Sequence, residues 1–346
     1  MAKGIMYVDN IRVEFDDEPT IMDVCRKAGV EMPNFCFHSD LSVYGACRMC
    51  MVEDLDTGKI DAACTTKPKN GMRIRTNTSR LLKYRRMILE LMLASHCRDC
   101  TACEKNRSCR LQEMAVRFGI HHVHFKDTRE HVPMDFSSPA VTFDLNKCIL
   151  CGDCVRVCKE VQGMSILHFA GRGPGLHIEA GDDQPISTTH CVSCGQCAAV
   201  CTTGAITVKN DIGAAWRALH DPQKRVVIQI APAVRVAIGE AYGLPAGENV
   251  LDKLVTALKI MGADEIYDTI FGADLTVREE SKEFLRRLET GENLPLMTSC
   301  CPSWVRYVEQ ERPQFIKNLS SALSPMQMFA TVLKLSLIHI SEPTRP

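Results

Sequence analysis

The sequence predicts a multidomain α+β chain, with small cysteine-bearing units in front and an α/β unit behind. Three observations carry that prediction. Nineteen cysteines fall among 346 residues, most of them gathered in short runs. Strand-like and helical segments of modest length interleave with those runs. From about residue 210 apolar strands alternate with longer helices, the pattern of an α/β layer.

So many thiols need a use, and a disulfide scaffold competes with a set of metal sites. Disulfide-dense chains are usually short and secreted. This chain is long, and its start, MAKGIMYVDN, has no basic region followed by an apolar run and a small-residue cleavage site. No stretch approaches eighteen apolar residues, so no membrane span is expected. The expectation is metal sites in a reducing cytoplasm. A formal net charge of -1, with two Trp and six Tyr, provides no basic field of the kind nucleic-acid binding needs.

The elements follow in order. Residues 1–78 open with IMYVDNIRVEF, an alternating strand pattern, then the helical TIMDVCRKAGV ending at its glycine, a cysteine-rich loop, and short strands around CMVEDL and GMRIRT. Residues 79–118 hold the helical SRLLKYRRMILELMLAS, a second cysteine cluster and RLQEMAVRF. The His- and Pro-containing stretch 119–137 reads as a linker. Residues 138–209 contain KCILCGDCVRVC and HCVSCGQCAAVC, an internal repeat. Residues 210–335 supply the strand RVVIQIA and the helix NVLDKLVTALKIMG.

Cys36, Cys47, Cys50 and Cys64 are spaced C-x10-C-x2-C-x13-C, and four such thiolates can hold a [2Fe-2S] cluster. A structural zinc is the bland alternative. The set resembles the [2Fe-2S] domain at the front of respiratory NADH dehydrogenase large subunits and of [FeFe]-hydrogenases, which implies a β-grasp fold. His96, Cys100, Cys103 and Cys109 resemble the His-and-three-Cys [4Fe-4S] site of the same two families. On spacing alone Cys97 competes with His96 for that set. A neutral imidazole in place of a thiolate raises a cluster's potential.

Cys148, Cys151, Cys154 and Cys158, with Cys191, Cys194, Cys197 and Cys201, form two C-x2-C-x2-C-x3-C runs of the bacterial 2[4Fe-4S] ferredoxin kind. In such pairs the fourth cysteine of each run serves the other cluster. One cluster is therefore assigned Cys148, Cys151, Cys154 and Cys201, and the other Cys191, Cys194, Cys197 and Cys158. The proline that usually follows the fourth cysteine is replaced by Lys159 and Thr202. Subtraction leaves Cys25, expected in the core of a helix face, Cys97, and the pair Cys300–Cys301.

That pair lies in MTSCCPSW, and T-S-C-C-P-x-W is a signature of [FeFe]-hydrogenases. IAPAVRVAIGEAYG, FGADLTVREE and LSSALSPMQMF look like the same family's active-site domain, so the resemblance covers residues 1–335. It implies that Cys301 ligates the [4Fe-4S] part of the catalytic H-cluster, that Cys300 is the nearest proton donor, and that Ala231 and Pro232 lie against the cofactor. The helix DLTVREESKEFLRRLE places Val277, Phe284 and Leu288 on an apolar stripe, with Glu280 half-buried beside it. Glu283 and Arg287 fall on the same side. A solvated Glu-Arg face is the competing reading. The resemblance implies a proton relay through Glu283, Glu280, Ser320 and Cys300, with Arg287 among its residues.

The departures are equally definite. The family's M-P-C-x-x-K-x-x-E and E-x-M-x-C-x-x-G-C motifs, which complete H-cluster binding, do not occur. The expectation is an incomplete α/β H-cluster domain, inactive toward H2 as it stands. Leu323 replaces a lysine common in the family, and Ala233 a serine found in some members. Residues 336–346 break the family pattern and read as an artefactual tail. The cofactors implied are one [2Fe-2S], three [4Fe-4S] and, in a full-length protein, the H-cluster.

GRGPG at 171–175 is too short for a dinucleotide fingerprint and no Walker loop exists, so this chain is not expected to bind NAD(P)H. The resemblance implies a hetero-oligomer with a flavin-containing NAD(P)H-oxidising subunit, or ferredoxin as electron donor, with H2 and protons as substrates. The alternative is a non-catalytic electron-transfer subunit of an NADH dehydrogenase or formate dehydrogenase complex.

Overall fold

A computed structural model describes residues 4–127, 131–182 and 184–341, with the side chains of the last helix described only to Ser336. Two compact units divide it, residues 1–209 and 210–346.

The first unit opens with a β-grasp sheet. Strands β1 (Gly4–Val8) and β2 (Ile11–Phe15) form a hairpin. Asp9 and Asn10 both take positive φ, 51° and 73°, which closes a two-residue turn whose twist suits the strands. The single strand pattern of the sequence is thus two strands. Thr20 caps α1 (Ile21–Lys27), its Oγ1 accepting from the Asp23 amide. Strands β3 (Met51–Asp54), β4 (Ile60–Ala62) and β5 (Arg73–Arg75) complete a sheet of order β2-β1-β5-β3-β4, with β5 parallel to β1. Met6, Val8, Ile21, Val24, Cys25, Val52 and Ile74 fill its core, and burial pushes the Cys25 thiol up to about 12.

Helix α2 (Ser79–Ala94) is fixed to this sheet by Arg85, which is 2% exposed. Its guanidinium donates to the carbonyls of Met49, Thr76 and Met51 at 2.9, 2.8 and 2.7 Å. The fork satisfies three strand and loop acceptors, offsetting the cost of burying the charge. Helix α3 (Arg110–Arg117) packs its Leu111 and Met114 on Leu89 of α2.

The repeat forms a pseudo-symmetric unit. Strand β6 (Val141–Phe143) pairs with β9 (Ile206–Val208), and the short helices α4 (Asp153–Arg156) and α5 (Gln196–Ala199) each begin after a left-handed glycine, Gly152 (φ 76°) and Gly195 (φ 75°). Between them β7 (Leu167–Ala170) and β8 (His177–Ala180) make a hairpin whose turn is the GRGPG segment. The 119–137 stretch is tied down at several points. Asp135 pairs with Phe143, Asn146 bonds both backbone groups of Val132, and His124 meets Glu90 at 2.8 Å. Residues 128–130 of that stretch lie outside the described residues.

The second unit begins with α6 (Ile212–Leu219). Strand β10 (Val227–Ile230), helices α7 (Pro232–Ala237) and α8 (Leu251–Ile260), and strand β11 (Glu265–Asp268) form a β-α-β crossover with parallel strands. Helices α9 (Ile270–Thr290), α10 (Pro302–Glu311) and α11 (Pro325–Ser341) follow. Of the expected tail, the backbone of α11 as far as Ser341 and one side chain, Ser336, are described, and residues 342–346 lie outside the described residues.

Candidate iron-sulfur and active-site array

Cys36, Cys47, Cys50 and Cys64 are all buried, at 1, 7, 1 and 1% exposure. They interact in two pairs, Cys36 with Cys47 and Cys50 with Cys64, and the interaction within each pair holds one thiol down to about 7, Cys47 and Cys50, and raises the partner. Backbone amides of Phe35 and Cys47 point at Cys47 and Cys36 sulfurs at 3.4 Å. Amide donors toward sulfur stabilise thiolate over thiol.

His96, at 8% exposure, follows the end of α2, and its Nδ1 accepts from the Arg98 amide at 3.0 Å. Cys100 and Cys103 lie on the next turn, and Cys109 is the residue before α3. Burial, then the charges of Cys109, Cys103 and Cys97, pushes the Cys100 thiol up, so these sulfurs share one neighbourhood. Cys97 stays close enough to belong to it.

The two repeat runs show the same local chemistry twice. The amide two residues on from Cys148 and from Cys191 donates to that sulfur at 3.4 Å, and Leu150 and Ser193 reach it by adopting positive φ, 58° and 59°. Sulfurs of Cys158 and Cys201 receive Ile166 and Ile206 amides at 3.3 and 3.4 Å. Cys148, Cys151, Cys154 and Cys201 line one small chamber closed by Leu145, Ile149, Ile178 and Ile206. Burial pushes Cys151 and Cys197 up to about 12 and raises Cys154 well above the usual thiol value. The charges of Cys191, Cys194 and Cys158 add to the rise at Cys197. The chamber gathers the first of the two crossed sets, and Cys197 feels the other three members of the second.

Apolar chambers lined by four thiols fit iron-sulfur clusters, because thiolates crowded in a dry site need cationic partners. A single zinc ion fits less well. Among the described residues, the thiol quartets are not among the groups whose ligand atoms come within 4.8 Å of one another.

The thiol-bearing loops of the first unit also hold one another. Arg156, buried against Asp153 at 2.5 Å, donates to the Cys36 carbonyl at 2.8 Å and to the Ser42 carbonyl. Ser42 in turn bonds Glu160. The Cys97 amide donates to Asn146 O, and the Arg110 amide to Thr202 O. A Cβ on Gly204 would lie 2.7 Å from the Cys103 sulfur. Neither Arg156 nor Gly204 stood out in the sequence; their only signal was proximity to a cysteine run.

In the second unit Ala231 caps α7 and Pro232 is its first residue, at the carboxyl end of β10, where ligands of α/β sheets gather. Cys301 caps α10, and both Cys300 and Cys301 are exposed. Met297 pairs with Leu319, and the Ser320 amide donates to Met297 O at 2.7 Å, so the segment bearing the cysteine pair lies beside the serine segment. Glu283 joins both serines to α9: its Oε2 accepts from Ser321 Oγ at 2.9 Å, Ser321 N at 3.0 Å and Ser320 Oγ at 3.4 Å. Arg287 meets Oε1 at 2.5 Å and donates to Leu319 O at 2.8 Å. Burial works against the Glu283 charge, but the Ser321 bonds and the Arg287 guanidinium hold its carboxyl below the usual range. Ser321 is a member sequence reasoning missed, although it stands next to Ser320 in the same motif.

One expectation is corrected. Val277, Phe284 and Leu288, the anticipated apolar stripe, are 63, 43 and 57% exposed, and the buried residues of α9 are Gly272, Thr276, Glu283 and Arg287. Gly272 lets the α11 backbone approach, so the face carrying small and paired polar side chains packs inward. Glu280, on the adjoining turn, is half-buried. Cys300 and Cys301 are the only cysteines after Cys201.

Fold and thiol array together define a multicluster iron-sulfur protein. Known families match in the same order: a 2Fe-2S iron-sulfur cluster binding domain over residues 5–79, the NADH-ubiquinone oxidoreductase-G iron-sulfur binding region over 85–124, a 4Fe-4S dicluster domain over 140–202, and the C-terminal domain of the iron only hydrogenase large subunit over 224–343. The chain is 36% identical to the NADP-reducing hydrogenase subunit HndD of Solidesulfovibrio fructosivorans, over 96% of this chain and 59% of that protein. It is 33% identical to iron hydrogenase 1 of Clostridium pasteurianum, over 95% of this chain and 58% of that one. A chain of an NAD+-reducing [NiFe]-hydrogenase superposes with a TM-score of 0.56 at 30% identity, covering 60% of this chain and 88% of that one. The chain is thus similar along nearly all of its length to iron-only hydrogenase large subunits, and it spans somewhat under three fifths of the length of those two curated relatives.

Proposed function

We propose that the chain is the electron-relay arm, with part of the active-site domain, of an [FeFe]-hydrogenase interconverting H2 with protons and electrons. The observation that carries this reading is the first unit's mutual bracing of four thiol sets, together with a second unit whose buried Glu283 network reaches the segment bearing Cys300. The sets are one for [2Fe-2S] and three for [4Fe-4S], with the ligands assigned from the sequence. When bound, such clusters accept and pass single electrons near -0.4 V. The chain's own residues hold the thiolates, exclude water and supply amide donors to sulfur. Glu283, held ionised by Arg287, exchanges protons with Ser320 and Ser321 toward Cys300, and Glu280 extends the path along α9.

The electron donor is proposed to be a flavin-containing NAD(P)H-oxidising subunit or ferredoxin, in a cytoplasmic hetero-oligomer. The relative named NADP-reducing supports the first. No helix of the described residues is long and apolar enough to cross a membrane. A second reading, an electron carrier without hydrogen chemistry, is favoured by the superposition on a chain of a [NiFe] enzyme.

Redox titration followed by electron paramagnetic resonance tests the relay. The proton couple lies at about -0.41 V at pH 7, taking about 59 mV per pH unit. Clusters titrating near that value support the relay. A set lying wholly about 0.2 V higher would oppose transfer by more than three decades and overturn it. Reduction of the clusters by H2 alone in the assembled enzyme marks hydrogen chemistry; reduction only through the NAD(P)H-oxidising partner favours the carrier.

A further inference from the structure

The β7–β8 hairpin has two faces with different work. Leu167 and Ile178 are buried on one side, and Ile178 closes the chamber of Cys148, Cys151, Cys154 and Cys201. Alternation along the strands puts His168, His177 and Glu179 on the other. His168 and Glu179 are direct cross-strand partners, with His168 Nε2 at 3.0 Å from Glu179 Oε1. His177 Nε2 lies 3.2 Å from the other oxygen of Glu179, while its Nδ1 meets the Gly175 carbonyl at 2.8 Å. Asp182, two residues after β8, brings a second carboxylate, and the ligand atoms of His168, Glu179 and Asp182 all lie within 4.8 Å of one another. It is the one such group among the described residues.

We propose that His168, Glu179 and Asp182 form a divalent transition-metal site of the Zn2+ class, separate from the iron-sulfur sites, with His177 positioning Glu179. Two carboxylates brought this close repel unless a cation lies between them. An imidazole nitrogen with two carboxylate oxygens, and no sulfur, is a donor set for zinc with a fourth position left to water. His168 Nε2 and Glu179 Oε1 stand 3.0 Å apart, so a shift of a few tenths of an ångström brings them to the separation of two ligands of one tetrahedral ion at Zn–N and Zn–O lengths of roughly 2.0–2.2 Å. Side-chain rotation of the exposed Asp182 completes the set. The imidazole bound to Glu179's second oxygen fixes the carboxylate's orientation, as outer partners of metal ligands do. The ion would staple the turn after β8 to β7, holding the strand pair that roofs a thiol chamber. Nothing in the electron-relay reading calls for this ion.

The test uses the intact chain with its iron-sulfur clusters in place, dialysed anaerobically against micromolar zinc. Metal per chain is measured for the native protein and for His168→Gln and Asp182→Asn, and zinc-edge X-ray absorption reports the ligands. The expected result is about one zinc per native chain in a nitrogen and oxygen shell near 2.0–2.1 Å. Both variants should bind at least tenfold more weakly with iron content unchanged. Asp182→Asn alters an exposed side chain and keeps the test valid if the hairpin of the histidine variant fails to fold. Absence of bound zinc, equal binding by all three proteins, or a sulfur shell near 2.3 Å would overturn the proposal.

Discussion

Gly204 needs no left-handed backbone, so its lack of a side chain is a matter of space. A Cβ there would stand 2.7 Å from the Cys103 sulfur, 3.5 Å from Lys147 and 3.7 Å from Lys105. A free thiol could swing aside; a thiol fixed as a ligand could not. Gly204→Ala should therefore leave the fold nearly unchanged and cost the His96, Cys100, Cys103, Cys109 cluster, lowering iron from about 14 to about 10 per chain on cluster stoichiometry. Iron analysis with resonance spectra checks this, and a full iron complement in the variant would count against the ligand assignment. Glu283 gives a residue-scale prediction in pH. Its carboxyl is held below the ordinary 4.5. The stability it confers is complete above the unfolded value and drains away as pH falls through the folded one. Glu283→Gln should flatten the acid limb of the second unit's unfolding curve below about pH 5. An acid limb of unchanged slope would place the titration elsewhere.

At the scale of elements, helix α9 shows where sequence reading reached and where it stopped. The Glu283–Arg287 spacing was legible, because i, i+4 geometry is local, whereas the first turn of the helix, which carries Gly272, was not. Which face packs inward was not, because that depends on Gly272 admitting the backbone of α11 some fifty residues later, a contact no periodicity encodes. The β1–β2 hairpin failed to register for a different reason: Asp9-Asn10 is a weaker turn signal than a pair ending in glycine, although both residues tolerate positive φ. The cysteine loops, by contrast, were almost fully legible, since cluster chemistry fixes the spacing of the ligands in sequence. The loops' bracing by Arg156 and Gly204 was not, being long-range. Gly272→Ala tests the packing account. Alanine in a helix interior normally gains about 1 kcal/mol over glycine. Here its methyl would press on the Pro325 carbonyl and on Phe329 Cβ at 3.0 Å, and overpacking costs roughly 1–3 kcal/mol or more. The variant should lose about 1–2 kcal/mol in denaturant unfolding, while Gly213→Ala, with only Arg217 Nη1 near at 3.6 Å, should gain. Two gains would show that α9 and α11 do not pack as closely as described.

At the scale of the molecule, the two units rest on different physics. Seventeen of the nineteen cysteines belong to the first, and several stand inside its cores: Cys36 and Cys47 with Leu89 and Met114, Cys154 with Leu167 and Ile206. A core assembled around thiols that need cations gains folding free energy from the bound iron, because ligand binding to the native state shifts the unfolding equilibrium. The second unit has two exposed cysteines, and Val308, Ile230, Val250 and Phe329 supply buried apolar side chains in their place. Stripping iron with a chelator should therefore loosen residues 4–209 and spare the second. Hydrogen exchange before and after chelation resolves the outcome segment by segment. Protection should fall in α2, α3 and the β6–β9 pair by tenfold or more, a loss of at least about 1.4 kcal/mol. Protection of α9 and of the β10–β11 pair should hold. Equal loss in both units would mean that iron supports the second fold as well, and no loss in either would mean that the thiol chambers are packed without metal.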